Sequence, residues 1–507
     1  MIEPDELTVS DGVAYEASKA KNSLSWREAN LVRWDNGKMS PIGGWERFDY
    51  TAPPTWVRAI HQWFDNSKNL WTAYLCDGFL YVEHDGDLFD ISPTPAIQQY
   101  ASGGSTGGYG DDTYNEDTYG TPRDTVPNRK EAGPVFKLDN WGEDLLAMSS
   151  ADGRLLRWVP TLTPDPSEVV PNAPENNTTF VVTPERFVIL FGAGGVFNKQ
   201  QWCDQEDIED WTPGLTSKAG SYPVEPAAPI VAALNIGEQG NLFFTTKLAY
   251  VTRYIGLPYI FEKGDEIGEG VTPISAQTLV RALSGSIWAA QSGFYYFNGT
   301  SIEPIQCDIW DWIDGLINWT TARFTAAAVN MTENGEYWFF FPSGESDHND
   351  MVAIFSYKPT SRWWSMGKVS RSAGFSANFT TFPVMADRMT VYQHESGQQY
   401  PDAPENPWVE SYVVNLKSGG VMTQVNQIFP EVEGEYSALR FSLAYRIRRT
   451  PDDEVYSPKR RLQANGAVDF GVVGRDFRLR IDYEGGSVLP WGVGPIQVSA
   501  APRGVKP

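Results

Sequence analysis

The chain has 507 residues, and its 64 acidic side chains outnumber its 40 basic ones, which gives a formal net charge of −24. With 41% hydrophobic and 13% aromatic residues it is too apolar to be disordered. Its apolar runs are shorter than the roughly 18–20 residues that cross a bilayer, and so acidic a chain does not bind nucleic acid by neutralising phosphates. Its cysteines, Cys76, Cys203 and Cys307, are far apart and predict no disulfide framework, which fits a reducing cytoplasm.

Residues 1–50 form the first predicted region, which is rich in turns and tryptophan. Asn36 and Gly37 both tolerate positive φ angles, so this pair predicts a tight hairpin turn. Trp34 and Trp45 flank the turn.

Residues 51–400 contain seven apolar runs that each begin at a turn. The runs are spaced 38 to 58 residues apart, except for a first interval of 75 residues that contains an insert near 97–133. A period of about 40–50 residues with several short strands per unit is typical of β-propeller blades. The sequence therefore predicts an all-β protein with a propeller of six to eight blades. The runs start at Gly78, Gly153, Gly195, Lys247, Gly293, Met351 and Met389.

The insert 97–133 is rich in glycine, tyrosine and aspartate, which predicts an exposed loop. Structureless loops longer than about 12–15 residues are uncommon in compact domains unless they serve a function. We therefore predict that this loop gates a channel or contacts a partner, with Tyr109, Asp111, Asp112 and Tyr114 as candidate residues. A second long polar connection is predicted over 160–177.

Helix is scarce, and the one clear candidate is the aromatic segment 309–317. A proline-rich linker, 401–407, opens the last region, 401–507. Two segments there, 440–448 and 477–483, alternate apolar residues with arginine, which predicts half-exposed strands. Residues 440–507 carry 12 basic and 7 acidic side chains, so this tail is +5 and the rest of the chain is −29.

The sequence offers no persuasive catalytic, cofactor-binding or metal-binding motif. Its four histidines are scattered, and it has no phosphate-binding glycine loop between a strand and a helix. The GxSxG match at 103–107 lies in a glycine-rich insert and not at the strand-to-helix turn that a nucleophile elbow needs. The acidic segment 204–210 is compatible with an acidic turn, a weak Ca²⁺ site or paired catalytic carboxylates, because spacing along the chain does not fix the separation of the carboxyl groups. We therefore predict no enzymatic activity.

Trp363 and Trp364 follow an apolar run and permit two interpretations. Exposed aromatic rings could stack on sugars, whereas buried rings would pack the blades together. The second interpretation is favoured.

Short motifs at both ends of the chain resemble those of one protein family. Near the start are Asn30, the sequence Leu-Val-Arg-Trp-Asp-Asn-Gly-Lys at 31–38 and Gly-Gly-Trp at 43–45; near the end are an arginine-rich strand at 474–481 and Pro-Trp-Gly at 490–492. In their order and position these motifs resemble tail nozzle proteins of short-tailed phages, also called tail tubular protein B or packaged-DNA stabilisation proteins. The insert 97–133 and the connection 160–177 have no assigned counterpart.

The resemblance implies a structural virion protein that forms a homohexameric ring. This ring is expected to continue the portal–adaptor channel, to enclose double-stranded DNA without specific binding, to retain packaged DNA and to gate its ejection. Segments 1–50 and 401–507 are expected to form a terminal β-sheet platform that faces the head–tail adaptor. Tail fibres or spikes are expected at its flank. The implied location is the virion tail, after assembly in the host cytoplasm and without membrane insertion. The candidate adaptor-contact residues are Trp34, Trp45, Arg478, Arg480 and Trp491.

Two alternatives remain from the sequence. One is a glycan-binding or glycan-degrading propeller of a phage or bacterium, which sugar-release and glycan-binding assays would distinguish. The other is a kelch-like interaction module, which the irregular blade lengths and the proline-linked final sheet disfavour.

Overall fold

The computed structural model describes residues 5–14, 23–48, 52–99, 133–162, 164–377, 379–414, 416, 421–448, 450, 453–486 and 490–503. These residues form a β-propeller and a second β domain, which we call the platform. Five strands precede the first complete blade: β1 (Asp5–Val13), β2 (Ser23–Asn30), β3 (Val32–Asp35), β4 (Lys38–Pro41) and β5 (Trp45–Arg47).

Seven sheets of four strands each follow one another along the chain and are the blades of the propeller. Blade 1 consists of β6 (Val57–Phe64), β7 (Leu70–Cys76), β8 (Leu80–His84) and β9 (Asp87–Asp90). Blade 2 consists of β10 (Phe136–Trp141), β11 (Asp144–Ser149), β12 (Leu156–Trp158) and β13 (Glu168–Val169). Blade 3 consists of β14 (Thr179–Val182), β15 (Val188–Phe191), β16 (Lys199–Trp202) and β17 (Gly220–Pro223).

Blade 4 carries an extra two-stranded hairpin between its third and fourth strands. It consists of β18 (Ile230–Asn235), β19 (Asn241–Thr245), β20 (Leu248–Thr252) and β23 (Asp265–Glu269), and the hairpin is β21 (Tyr254–Gly256) with β22 (Ile260–Phe261). Blade 5 consists of β24 (Val280–Ala282), β25 (Gly285–Ala290), β26 (Gly293–Phe297) and β27 (Ile302–Ile305). Blade 6 consists of β28 (Ala327–Met331), β29 (Glu336–Phe341), β30 (Met351–Lys358) and β31 (Ser361–Gly367). Blade 7 consists of β32 (Ala373–Phe375), β33 (Val384–Asp387) and β34 (Thr390–His394) together with β5.

The predicted β-propeller is confirmed, and its seven blades account for all seven apolar runs of the sequence. Each run begins at or just before the third strand of one blade: β8, β12, β16, β20, β26, β30 and β34. The period is visible because a turn into the third strand recurs in every blade, and the second strand before that turn is fully buried in several blades. In β11, β25 and β29 every residue is buried, so these strands are continuous apolar runs rather than alternating ones.

The outer strands were not visible in the sequence, because they are short and partly exposed. β13 lies inside 160–177, and both of its residues are exposed. That segment was predicted to be a polar connection only, and this prediction is wrong where β13 forms the fourth strand of blade 2.

A strand from the N-terminal region closes the ring of blades. β5 pairs with β34, with Trp45 opposite His394, and supplies the fourth strand of blade 7. The inner strand of blade 7, β32, contacts the inner strand of blade 1, β6. Residues 1–50 were predicted to belong wholly to the platform, but β5 lies in the propeller.

The platform is built from both regions that flank the propeller. To β1–β4 it adds β35 (Trp408–Ser411), β36 (Thr423–Gly434), β37 (Leu439–Arg446), β38 (Val455–Tyr456), β39 (Val468–Gly474), β40 (Asp476–Tyr483) and β41 (Trp491–Pro502). The strand β1 is shared by two sheets, since its start pairs with β41 and its later part with β2. Apolar side chains of β36 and β41 face those of β37 and β40 around a common core, which makes the platform a β-sandwich.

The predicted helix at 309–317 is confirmed as α1 (Trp310–Leu316), and a second helix, α2 (Trp319–Thr325), follows it. Both lie in the connection from blade 5 to blade 6. Short 3₁₀ turns occur at Ala193–Gly195, Gly237–Gln239 and Ala276–Thr278. No helix within the described ranges is long and apolar enough to cross a membrane.

We expect Trp45→Ala to destabilise the protein strongly. Trp45 is fully buried and packs on His394 and Tyr400 at ring-centroid distances of 4.9 and 4.7 Å. Removal of such a side chain leaves a cavity at the closure of the ring, so the free energy of unfolding should fall by about 3–5 kcal/mol. Denaturant unfolding would measure this loss. The control is Tyr436→Ala, at an exposed platform residue, which should change stability by about 0.5 kcal/mol or less. Equal stabilities of the two variants would contradict the prediction.

Candidate functional site: the central channel and the propeller–platform junction

The central channel, which is the main concavity of a ring of blades, is crossed by the chain near one of its ends. Gln277 lies in the 3₁₀ turn between blades 4 and 5 and donates hydrogen bonds from its side-chain amide to the carbonyl oxygens of Arg58 and Phe136, at 3.1 and 3.0 Å. These carbonyls are at the starts of the inner strands of blades 1 and 2, across the ring. Tyr337 fixes this 3₁₀ turn, because its hydroxyl donates a hydrogen bond to the carbonyl of Thr278 at 2.9 Å. This end of the channel is therefore occupied by the protein's own side chain.

The N-terminal motif residues form the junction between propeller and platform. Asn30 is buried, and its amide donates to the carbonyl oxygens of Glu405 and Asn406 in the linker, both at 3.1 Å. Its side-chain oxygen accepts a bond from the backbone N–H of Lys368 in the propeller, at 2.8 Å. One side chain thus joins both flanking regions to the propeller, because β2 and the linker meet there.

Gly44 and Trp45 contact the segment just before the linker through their backbone. A Cβ at Gly44 would lie 2.8 Å from the carbonyl oxygen of Gln399, closer than real side chains approach, so only glycine fits. The N–H of Trp45 donates to that same carbonyl at 2.9 Å. The Gly-Gly-Trp motif therefore serves a close backbone approach.

An ion-pair triad around the buried Glu336 fixes the platform strand β3 to two blades. Arg33 donates to both carboxylate oxygens of Glu395 at 2.8 and 2.9 Å and to Glu336 at 3.1 Å. Burial opposes the charge on Arg33, but the two carboxylates outweigh it and raise the pKa of the guanidinium above its usual range. Burial also raises the pKa of Glu336, which accepts a further bond from Trp338 at 2.9 Å. Loss of one member would leave a buried charge without its partner, which is the costly case for such a group.

A second cluster surrounds Arg371, which is fully buried. Its guanidinium donates to His394 Nε2 at 2.7 Å and to Asp402 in the linker at 2.6 Å. It also lies over the rings of Trp45 and Tyr392, at 5.0 and 4.3 Å from their centroids. The indole N–H of Trp45 donates to Asp402 as well. The cluster therefore joins the N-terminal strand, blade 7 and the linker around one cation.

His394 is held in its neutral form. Its Nε2 accepts a hydrogen bond from Arg371, so the ring proton must be on Nδ1. Burial, together with the neighbouring positive charge of Arg371, lowers the pKa of the imidazole well below its usual value.

The predicted adaptor-contact residues are largely interior. Trp34, Trp45 and Trp491 are buried, and Trp34 packs edge-on against Trp363 at 5.6 Å. Arg478 is also buried. A contact with an adaptor through this region stays a prediction, but these indole rings support the domain rather than line a free surface.

Arg478 and Arg480 are paired with carboxylates of the platform itself. Arg478 donates to Glu410 at 3.1 Å and to Glu454 at 2.9 Å. Arg480 donates to Asp482 at 3.0 Å, and its guanidinium lies 4.1 Å from the Trp408 ring centroid. The arginine face of these strands, expected to be half exposed, is thus covered by ion pairs.

The acidic segment 204–210 uses its carboxylates for turns and ion pairs. Asp204 accepts bonds from the backbone N–H groups of Gln205 and Lys218, both at 2.8 Å. Glu206 pairs with Arg186 at 3.2 Å. Across the part of the chain that the structure describes, no three His, Cys, Asp or Glu residues are grouped to hold a metal ion.

The candidate gate residues Tyr109, Asp111, Asp112 and Tyr114 lie outside the described residues, so their role stays a prediction. Sequence reasoning missed Gln277, Arg371 and Asp402. Nothing in their local sequence marks them, because each acts through contacts between distant segments. Asn30 was the exception, since it belongs to the terminal motif.

Neither a protein-family model nor a curated protein matches this chain. Among solved structures, the β-propeller domain of Myceliophteria thermophila Cps50 (Swd1) is similar over 70% of this chain and 99% of its own, with 10% identity and a TM-score of 0.40. Chaetomium thermophilum Raptor matches 71% of this chain over 30% of its own length, with 9% identity and a TM-score of 0.39. The dihydro-heme d1 dehydrogenase NirN in complex with DHE matches 96% of this chain and 83% of its own, with 10% identity and a TM-score of 0.34.

We expect Gln277→Ala to lower the free energy of unfolding by about 1–2 kcal/mol, because two partly buried carbonyl groups lose their donor. Gln497→Ala is the matched control, since Gln497 is exposed on β41, and it should change stability by about 0.5 kcal/mol or less. Denaturant unfolding of both variants measures the difference. Equal effects would show that the bonds across the channel contribute nothing.

The stability of the protein should depend on pH through His394. The unfolded chain takes up a proton at this residue near pH 6.5, whereas the pKa in the folded protein is far lower. The stabilisation from the neutral ring is thus present above pH 6.5 and is lost as the pH falls below it. Between pH 6.5 and 5.5 this loss is about 1 kcal/mol. His394→Gln keeps an acceptor for Arg371 without a titrating ring. Unfolding measured at both pH values should therefore show a loss about 1 kcal/mol smaller in the variant, and identical losses would contradict the assignment.

Proposed function

We propose that this chain is a structural virion protein of a short-tailed phage. As a tail nozzle it would form a ring that continues the portal–adaptor DNA channel, retains packaged DNA and gates its ejection. The observation that supports this proposal most is the way the propeller is joined to the platform. The N-terminal residues of the nozzle-like pattern, Asn30 and 43–45, are the residues that fasten the propeller to the platform.

A scaffold role fits the rigidity of that junction. A ring built from head-to-tail contacts needs two different surfaces held in a fixed relation within each subunit. The Arg33 triad and the Arg371 cluster hold these surfaces in place. The triad joins platform strand β3 to the last two blades, and the cluster joins the linker to blade 7. The acidic body of the chain suits a channel wall, since like charges keep DNA from adhering.

Other features favour assembly over catalysis. Gln277 fills one end of the propeller channel, where a ligand would otherwise find a concave site. Burial raises the pKa of Cys76 and Cys203 to about 12, so neither thiol is a nucleophile at neutral pH. Trp363 and Trp364, the candidates for stacking on sugars, are buried.

The test is to locate the chain in purified virions by cryo-electron microscopy and to count its copies. We expect six copies in a ring at the portal vertex, with the platform toward the adaptor. Sugar release and glycan binding by the purified protein should be negative. Absence from the portal vertex, or three copies on a peripheral spike, would overturn the proposal and favour the glycan alternative.

A further inference from the structure

The β21–β22 hairpin of blade 4 exposes an unusual concentration of apolar side chains. Ile255, Leu257 and Tyr259 are 51%, 76% and 65% exposed, and Tyr254 is also exposed. The hairpin forms a sheet of its own and pairs with no blade strand. We call residues 254–261 the apolar hairpin. Contiguous exposed apolar groups of this kind mark interaction sites.

The apolar hairpin is held rigidly despite its exposure. Phe261 is buried at its base and packs on Phe187 and Trp202, both at 5.3 Å between ring centroids. The hydroxyl of Tyr222 donates to the carbonyl of Tyr259 at 3.2 Å. Ile260 adopts a φ of 61°, a left-handed conformation that is strained for a β-branched residue. A strained, anchored protrusion is preorganised for binding, because little further ordering is needed.

Acidic residues flank the apolar hairpin. Asp265, Glu266 and Glu269 are exposed on β23, directly after it. Arg253 pairs with Glu262 and Asp265, at 3.3 and 3.5 Å, so its positive charge is already balanced. The segment 253–269 carries two basic and four acidic side chains, a formal charge of −2. A partner must therefore offer an apolar surface with a basic rim, and anionic lipid is disfavoured.

This chain has such a surface on its platform. Ile447, Val455 and Tyr456 are 47%, 51% and 49% exposed, at the side of the sheet where β38 pairs only with β37 among the described strands. Around them, the described residues of 446–461 carry five basic and two acidic side chains, a formal charge of +3. We call this surface the basic edge. Its exposed basic residues are Arg448, Arg460 and Arg461, together with Lys459, whose charge is already paired with Glu484 and Asp482 at 2.7 and 3.5 Å.

We propose that the apolar hairpin of one copy docks on the basic edge of a second copy of this chain. The two surfaces match in apolar character and are opposite in charge, and both stand exposed at once on one chain. The contact joins unlike surfaces, so it is head-to-tail and propagates from copy to copy until a ring closes. As a contact within the nozzle ring, it rests on the proposed function.

Cross-linking between copies tests the contact. One tagged copy of the full chain carries Leu257→Cys and a differently tagged copy carries Val455→Cys, and a short bismaleimide is added to the mixture. The natural thiols give little background, since Cys76 and Cys203 are buried and Cys307 is half-buried. We expect an adduct between copies at least about tenfold above that of the control pair Leu257→Cys with Tyr436→Cys, a platform residue outside the basic edge. Equal yields would overturn the proposal.

Charge reversal then tests the complementarity. Asp265→Lys with Glu266→Lys on the hairpin copy should reduce the adduct at least about tenfold, and so should Arg460→Glu with Arg461→Glu on the edge copy. Combining the two reversed copies should restore it. Reduction by each reversal without restoration by the pair would overturn the docking. If virions hold six copies but the reversals have no effect, this inference alone fails. If the adduct forms but virions lack the chain, the nozzle proposal alone fails.

Discussion

The fold depends on the closure of blade 7 by β5. A propeller is a ring, and a ring without its last strand leaves β34 with an unpaired edge and the core of blade 7 open to water. The chain supplies that strand with Trp45, which is fully buried and contacts His394, Tyr400 and Asp402 together. Closure of the propeller and docking of the linker are therefore coupled, since the indole group of Trp45 takes part in both.

The junction converts two domains into one body. Asn30, Arg33 and Arg371 each make polar contacts to segments more than twenty residues away in the sequence, and together these contacts join β2, β3 and the linker to one another and to the last two blades. Buried charges of this kind stabilise little on balance, because desolvation offsets much of their attraction. Their larger effect is on geometry, since any arrangement that separates Arg33 from Glu336 leaves the buried carboxylate of Glu336 unpaired. A scaffold that must hold two surfaces at a fixed angle benefits from such a constraint.

The sequence predicted the propeller because a turn that leads into a third strand recurs in every blade, and in blades 4 and 6 this strand, β20 or β30, is an almost wholly buried apolar run. It predicted neither β13 nor the exact place of β5, because short or exposed strands leave no periodic signal. At the candidate site, local sequence marked Asn30 and Trp45 but not Arg371, whose charge is stabilised by His394 and Asp402, 23 and 31 residues away. The sequence favoured buried positions for Trp363 and Trp364, and both are buried. It did not reveal that Trp34, Trp45 and Trp491 are buried as well, because an aromatic residue beside a turn can face outward or inward and only the complete core decides.

The uneven charge of the chain has a physical consequence for assembly. A body of −29 and a tail of +5 make contacts between like surfaces of two copies repulsive, so two-fold pairing of body with body is disfavoured. Contacts between unlike surfaces are attractive, and these are the contacts that form rings or filaments. Much of the tail's positive charge is used within the platform, as at Arg478 and Arg480. Among the described residues, Arg448, Lys459, Arg460 and Arg461 of the basic edge are exposed close together, so attraction between unlike surfaces is strongest there.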